Sequence, residues 1–142
     1  MKTNYFDFQL NDNALKIITD VTVYNSNNGS SISCKALWSA GHTQTIISNR
    51  LVKILELESI NNIKHTDIFD INHTKETDEY IIDLEFHHNM NKICGRRTIG
   101  LDIYDFKDQY DIIIGMDIIS SGNFSLKQDQ ETGKNIISFS IN

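Results

Sequence analysis

Ser39, a possible nucleophile, stands in a short turn that is the first candidate for a functional site. Ser39, Ala40 and Gly41 follow an apolar run from Cys34 to Trp38. A strand that ends in a tight turn is a common way to place a side chain at the floor of a cleft. A nucleophilic serine would need a general base, an orienting acid and an oxyanion hole, and His42 lies three residues after Ser39. The sequence has no Gly-x-Ser-x-Gly turn and does not place His42 against Ser39, so it predicts that Ser39 is an inert turn residue.

Other residues with metal-binding or redox chemistry are scattered along the chain. His87 and His88 are adjacent, and adjacent residues on a strand point to opposite faces. They therefore do not form a ligand pair, and the sequence predicts no metal site and no cofactor. Cys34 and Cys94 are isolated, without a CxxC pair, so we expect two partly buried thiols, and a disulfide between them stays open.

Length, composition and charge restrict the class of protein. The 142 residues predict a single domain over positions 1–142, and a hydrophobic share of 39% is sufficient for a core. The net charge of -6 argues against nucleic acid as a partner, because nucleic-acid binders usually present a basic face. No apolar run approaches membrane-spanning length, and no signal peptide is visible, so we expect no membrane partner and a cytoplasmic location is favoured.

Short strands dominate the pattern of the chain. Short runs of alternating or continuous apolar residues predict strands where Asn, Asp and Gly bound them. Such runs cover Asn4–Leu10, Ala14–Tyr24, Ser31–Trp38, Lys64–Ile71, Tyr80–Phe86, Lys92–Ile103, Tyr110–Ile114, Phe124–Gln128 and Asn135–Ile141. Many short strands with few helices predict a closed barrel of mainly antiparallel strands.

Three segments break the strand pattern. Apolar residues recur at helical spacing from Ile46 to Leu57, which predicts an amphipathic helix on the sheet with Thr45 or Ser48 as its cap. The segment from Gly115 to Ser120 predicts a second, short helix. The segment from Asn72 to Glu79 is strongly polar, so we expect it to form the tip of a hairpin.

Two stretches together resemble the retropepsin-like aspartic proteases, especially the small bacterial single-domain members. In that family an apolar strand leads into Asp-Thr-Gly-Ala, a few polar residues, Ile-Ser and an amphipathic helix, and Ala36 to Leu57 follows this frame. Tyr110 to Leu126 is similar to the family's apolar-apolar-Gly-Met-Asp segment and the Gly-Asp-Phe after it, and Asn135 to Ile141 resembles its closing strand. The resemblance implies a mainly β, closed acid-protease barrel with one amphipathic helix and a short C-terminal helical turn.

The resemblance also locates the chemistry of the family and shows that this chain departs from it. It aligns Ser39 with the catalytic Asp and Ala40 with the Thr, while Gly41 matches. An aspartic protease uses two carboxylates that share a proton, and a half-size chain obtains the second from its dimer mate. A serine hydroxyl carries no negative charge at neutral pH, so it cannot replace either carboxylate. The resemblance therefore implies an inactive pseudoprotease with a binding or structural role, and the alternative is an active aspartic endopeptidase that works as a homodimer.

Further roles follow from the resemblance. It implies that Gly115 and Asp117 form a structural turn, and that a flap covers the cleft. The flap would comprise Asp70, Ile71, Asn72, His73, Thr74 and Lys75, a stretch without the glycine that close backbone approach favours. The implied partners are a second copy of the chain and a peptide or protein ligand in the cleft. The N-terminal strand and the closing segment from Ser138 to Ile141 are the expected contributors to the dimer interface, because exposed strand edges invite pairing.

Overall fold

Strands make up most of the structure, as the alternating pattern predicts. A computed structural model of the protein describes residues 4–9, 16–67, 70–87, 92–103, 110–133 and 135–141. Within these ranges the elements in chain order are β1 (Asn4–Gln9), β2 (Ile17–Tyr24), β3 (Ser31–Trp38), β4 (Ile46–Ser48), α1 (Asn49–Ile54), β5 (Asn61–Asp67), β6 (Asp70–Phe86), β7 (Lys92–Leu101), β8 (Ile112–Ile114), α2 (Met116–Ile119), β9 (Gly122–Gln128) and β10 (Asn135–Ile141). Neither described helix is long and apolar enough to cross a membrane.

Six strands close into a barrel, which confirms the predicted fold class. Their order is β2-β3-β8-β4-β7-β6, and the pairing of β2 with β6 closes the ring. The β3–β8 and β4–β7 pairs are parallel, and the other four pairs are antiparallel. β5 pairs with β6 and lies outside the ring, so β5 and the first half of β6 form an arm that extends the barrel wall.

A second sheet of three strands packs against the barrel. Its order is β1-β10-β9, and both pairings are antiparallel. The sequence predicts exposed edges on β1 and on the closing segment from Ser138 to Ile141. This expectation is wrong for the closing segment, because β1 and β9 occupy both edges of β10. Among the described strands of this sheet, the unpaired edges belong to β1 and β9.

Trp38 joins the barrel to the second sheet. Its ring lies 5.6 Å from that of Phe86 in the barrel and 5.0 Å from that of Phe139 on β10. All three side chains belong to the main core cluster, and the indole N–H donates to the Thr19 hydroxyl at 2.9 Å. Trp38, the last residue of β3, is therefore a core residue. Its packing fixes the end of β3, from which the chain leaves the barrel.

The predicted helix from Ile46 to Leu57 is shorter in the structure and begins later. Ile46 to Ser48 form β4, and α1 covers only Asn49–Ile54. Ile46 and Ile47 are 3% and 0% exposed, because β4 has apolar neighbours on both faces. A strand buried on both faces has consecutive apolar residues, which sequence periodicity cannot distinguish from a helix. The predicted cap is confirmed for Ser48, whose hydroxyl accepts from Leu51 N at 3.1 Å.

The hairpin tip expected at Asn72–Glu79 is also wrong. These residues lie within β6, and the β5–β6 pairing ends with Asp67 opposite Asp70. The predicted strand from Lys64 to Ile71 therefore spans two different strands. Asn62 and Asp78 face each other in the arm and are both exposed. Among the described side chains of this segment, Glu76 and Asp78 are exposed whereas Thr77 and Glu79 are buried, so exposure alternates as it does along a strand.

The two cysteines are free thiols in different environments. Cys34 on β3 is half-buried, whereas Cys94 on β7 is exposed, so the expectation of partial burial holds for Cys34 alone. Cys94 lies close to a register shift between β6 and β7, opposite residues 82–84. Burial, with a further contribution from the nearby carboxylate of Asp111, raises the pKa of the Cys34 thiol to about 12.

Alkylation should distinguish the two thiols. The thiolate is the reactive form, and a raised pKa keeps Cys34 protonated as the pH rises from about 7 to 10. We expect iodoacetamide to modify Cys94 quickly and Cys34 only slowly across this range, as measured by mass spectrometry of peptides. Full unfolding in denaturant serves as the control and should make both react. Rapid modification of Cys34 in the folded chain would contradict its assigned environment.

Truncation of the aromatic side chain on β10 should show how strongly the second sheet is attached. Phe139 is 1% exposed. Phe139→Ala removes a fully buried ring, which typically costs about 3–5 kcal/mol. Leu126 on β9 is 54% exposed, so Leu126→Ala should change the free energy of unfolding by less than about 0.5 kcal/mol. Urea denaturation followed by circular dichroism measures both, and equal losses would refute the role given to Phe139.

Candidate functional site at the turn after β3

The loop that follows β3 crosses over the end of β8. β8 lies between β3 and β4 in the barrel, so residues 39–45, which connect β3 to β4, must pass over it. The Ser39 N–H donates to Ile114 O at 2.9 Å and extends the β3–β8 pairing by one residue. The candidate site begins at this last paired residue, where Ser39 is half-buried and Ala40 and Gly41 are exposed.

The backbone of this loop is held against the first turn of α2. The Met116 N–H donates to His42 O at 2.7 Å, and the Asp117 N–H donates to Thr43 O at 3.2 Å. A Cβ on Gly115 would lie 2.8 Å from both C and O of Gln44. The φ of Gly115 is -94°, which any residue can adopt, so the glycine is required by space and not by backbone conformation.

Thr45 and Asp117 form a polar connection beside this crossing. The Thr45 hydroxyl donates to Asp117 Oδ1 at 2.8 Å, and the Thr45 N–H donates to Oδ2 at 3.1 Å. The same hydroxyl accepts from the Gly115 N–H at 3.2 Å. These bonds satisfy a hydroxyl on a residue that is 0% exposed. Gly115 and Asp117, predicted as a structural turn, thus contact the loop that carries Ser39, and their bracing role remains a prediction.

Ser39 and His42 contact each other within the turn. Ser39 Oγ lies 2.8 Å from His42 Nδ1, so the expectation that His42 is not placed against Ser39 is wrong. The contact arises because the His42 N–H donates to Ser39 O at 3.3 Å, which folds residues 39–42 into one four-residue turn and brings the side chains together. The Ser-x-x-His spacing in a turn of small residues is the sequence signal for this pair.

An apolar cluster lies on the other face of the barrel wall from the main core. Ile46, Ile99 and Ile113 form it, and Ile46 pairs in register with both of the others. Leu37 packs against this cluster, whereas Trp38 belongs to the main core, because successive residues of β3 point to opposite faces. Leu37 lies two residues before Ser39, so the cluster that it packs against borders the candidate site.

Sequence reasoning missed a buried carboxylate beside this cluster. Glu79 is 6% exposed and pairs directly with Ile99 across the β6–β7 ladder. Its Oε2 accepts from Gln44 Nε2 at 3.3 Å, so it is connected to the same loop as Ser39. Because Glu79 was expected in an exposed hairpin tip, its burial became visible only in the structure.

The six residues assigned to the flap lie at the start of β6. Their backbone belongs to the arm, in which Thr74 pairs with Thr66 and Lys75 with His65. A β-hairpin is thus present where the resemblance implies the flap, and the flap role of Asp70 to Lys75 stays a prediction. Across the part of the chain that the structure describes, no three His, Cys, Asp or Glu side chains are grouped as a metal ion would require.

Comparison with known proteins identifies the fold. No family model matches the chain, and no curated protein matches it. A retropepsin-like aspartic protease from Rickettsia conorii superposes with a TM-score of 0.60 over 99% of this chain and 96% of that one, at 11% identity. The EIAV protease complexed with the inhibitor HBY-793 superposes with a TM-score of 0.52 over 78% of this chain and 91% of that one, at 16% identity. The chain has a retropepsin-like fold, as the two sequence stretches imply.

The crossing at Gly115 should be sensitive to a single added methyl group. Gly115→Ala would force the Gln44 backbone away, and we expect it to lower the free energy of unfolding by about 1–3 kcal/mol. It should also break the bonds from the Met116 and Asp117 amides, so their hydrogen exchange should accelerate. Glu58→Ala is the control, because it changes an exposed side chain outside the helices and strands. Unchanged protection of both amides in Gly115→Ala would show that the crossing tolerates a side chain.

Proposed function

We propose that this chain is a catalytically inactive relative of the retropepsin-like aspartic proteases that binds an extended peptide or protein segment. The observation that carries the proposal is the hydroxyl of Ser39, which hydrogen-bonds His42 at the turn where the resemblance puts the catalytic Asp. The retropepsin-like fold supports the relationship to these proteases.

The chemistry of the turn supports the loss of peptidase activity. Aspartic proteases need two carboxylates that share one proton, so that one activates water while the other polarises the scissile carbonyl. Ser39 supplies a neutral hydroxyl, and a second copy of the chain would add only another hydroxyl. Ala40 also lacks the hydroxyl that the resemblance implies for bracing the two loops.

Two surfaces support a retained binding role. Partly buried apolar side chains, among them Leu37 and Ile63, pack over the buried cluster of Ile46, Ile99 and Ile113 beside the turn, and they offer a surface for apolar side chains. Among the described strands, β5 pairs only with β6. Its other edge can therefore accept an added strand, which is a common mode of peptide recognition. An extended ligand suits both features, because alternate side chains of a strand would face the cluster.

The proposed assembly is a homodimer with the Ser39 turns at its two-fold axis. The resemblance implies this arrangement, since a half-size chain forms only half of the cleft. In the second sheet the outer edges of β1 and β9 are available for pairing, whereas β10 is already paired on both sides. A dimer that used β10 would first have to displace β1 or β9.

A peptidase assay tests the proposal directly. We expect the unaltered chain to leave a broad peptide library uncleaved from acidic to neutral pH, because Ser39 provides no carboxylate. The Ser39→Asp variant and the double variant Ser39→Asp with Ala40→Thr are compared with it. Cleavage by the double variant would show that the cleft and the dimer are intact and that only the chemistry was lost.

Two other outcomes have distinct meanings. Cleavage by the unaltered chain that a transition-state mimic of aspartic proteases blocks would refute the proposal in favour of an active aspartic endopeptidase. Absence of cleavage in all three proteins would show that the flap or the pairing has been lost as well. That result would favour a scaffold role for the chain over peptide binding.

A further inference from the structure

The buried carboxylate of Glu79 lacks an adequate partner. Its side chain is only 8% exposed, and burying a charged carboxylate is costly unless it is paired and hydrogen-bonded. Among the described residues, Oε1 has no hydrogen-bond partner, and Oε2 has one neutral donor, Gln44 Nε2, at 3.3 Å. Oε1 thus has unused acceptor capacity, and because this oxygen is buried, a further donor must take the place of Arg97 to reach it.

Arg97 lies close to this carboxylate but does not satisfy it. Its Nη1 is 3.6 Å from Glu79 Oε1, which is beyond hydrogen-bond distance, and 68% of the Arg97 side chain is exposed. An exposed guanidinium at this distance contributes little, because solvent screens it and its side chain must be ordered. Arg97 is therefore an exposed surface cation next to a buried carboxylate.

The position of Glu79 connects it to the candidate site. It shares a sheet face with Ile99, its partner across the ladder, and hence with the apolar cluster defined above. The amide of Gln44 orients the carboxylate from the loop that also carries Ser39. A segment bound along this face would bring one side chain to the partly buried residues that pack over the cluster and another to Glu79.

We propose that Glu79, oriented by Gln44, is a specificity determinant that selects a cationic side chain, arginine or lysine, next to an apolar one in the bound segment. This inference rests on the proposed peptide-binding function. The guanidinium of a ligand arginine can donate to both carboxylate oxygens, which Arg97 does not do at its present distance. The ligand thus replaces a weak surface contact by a desolvated, charge-assisted pair.

Matched peptides test this preference in the full chain. Extended peptides that contain one arginine are compared with the same peptides that contain citrulline, which has the shape of arginine without its charge. Fluorescence anisotropy gives the two affinities. We expect the arginine peptides to bind about 10- to 100-fold more tightly, as charge-assisted hydrogen bonds imply. Glu79→Gln should abolish the difference.

Two further variants make the test specific. Glu76→Gln removes the same charge from an exposed position on the same strand, and it should preserve the preference for arginine. Arg97→Gln removes the exposed cation beside Glu79 and should preserve the preference for arginine, because Arg97 contributes little at its distance of 3.6 Å. Since Arg97 is exposed, this variant tests the inference even if Glu79→Gln does not fold, and loss of the preference in it would overturn the inference.

The outcomes separate this inference from the proposed function. Equal binding of arginine and citrulline peptides by the unaltered chain would overturn the role of Glu79 and leave peptide binding intact. A preference for arginine that survives in Glu79→Gln would do the same. If no peptide in the library binds the unaltered chain, both the peptide-binding function and the selection by Glu79 are refuted.

Discussion

The crossing of the loop after β3 over the end of β8 is the constraint on which the rest of the structure depends. Two chain segments approach so closely at Gly115 that a Cβ would lie 2.8 Å from the Gln44 backbone. The approach buries polar groups, and Thr45 and Asp117 satisfy them with hydrogen bonds. Because the loop crosses over β8, that strand lies between β3 and β4, and the crossing thus sets this part of the strand order. It also holds the turn at Ser39 in one place, because the Ser39 N–H is bound to the end of β8.

The two faces of the barrel wall have different uses. Trp38 faces inward and ties the barrel to the second sheet through Phe139, whereas Leu37 faces the apolar cluster beside the turn. The main core cluster on the inner face does not include Ser39. Glu79 lies on the second face, beside Ile99, and is not part of the main core cluster.

Much of the fold was predictable because its strands obey local rules. β3 has the predicted bounds, from Ser31 to Trp38, since its alternation is regular and a polar loop precedes it. The helix that begins at Asn49 was predicted too early, because β4 is apolar on both faces. The arm from Asn72 to Glu79 was predicted as a turn, because the sequence could not show that β5 would pair with it. Glu79 was missed for the same reason, since burial of one charged residue in a polar segment depends on distant strands.

The amino-acid sequence by itself determined which residues stand in the turn after β3 and in the turn after β8. Ser39-Ala40-Gly41 after an apolar strand and Gly115 in a Gly-Met-Asp segment are local facts, and together they indicate a retropepsin-like barrel. Tertiary structure alone decided the contacts between segments: the Ser39–His42 pair, the closure of the ring by β2 and β6, and the position of Glu79 beside Ile99. The physical reason is that side-chain burial and pairing depend on which strands become neighbours, and periodicity along one strand carries no information about the strand next to it.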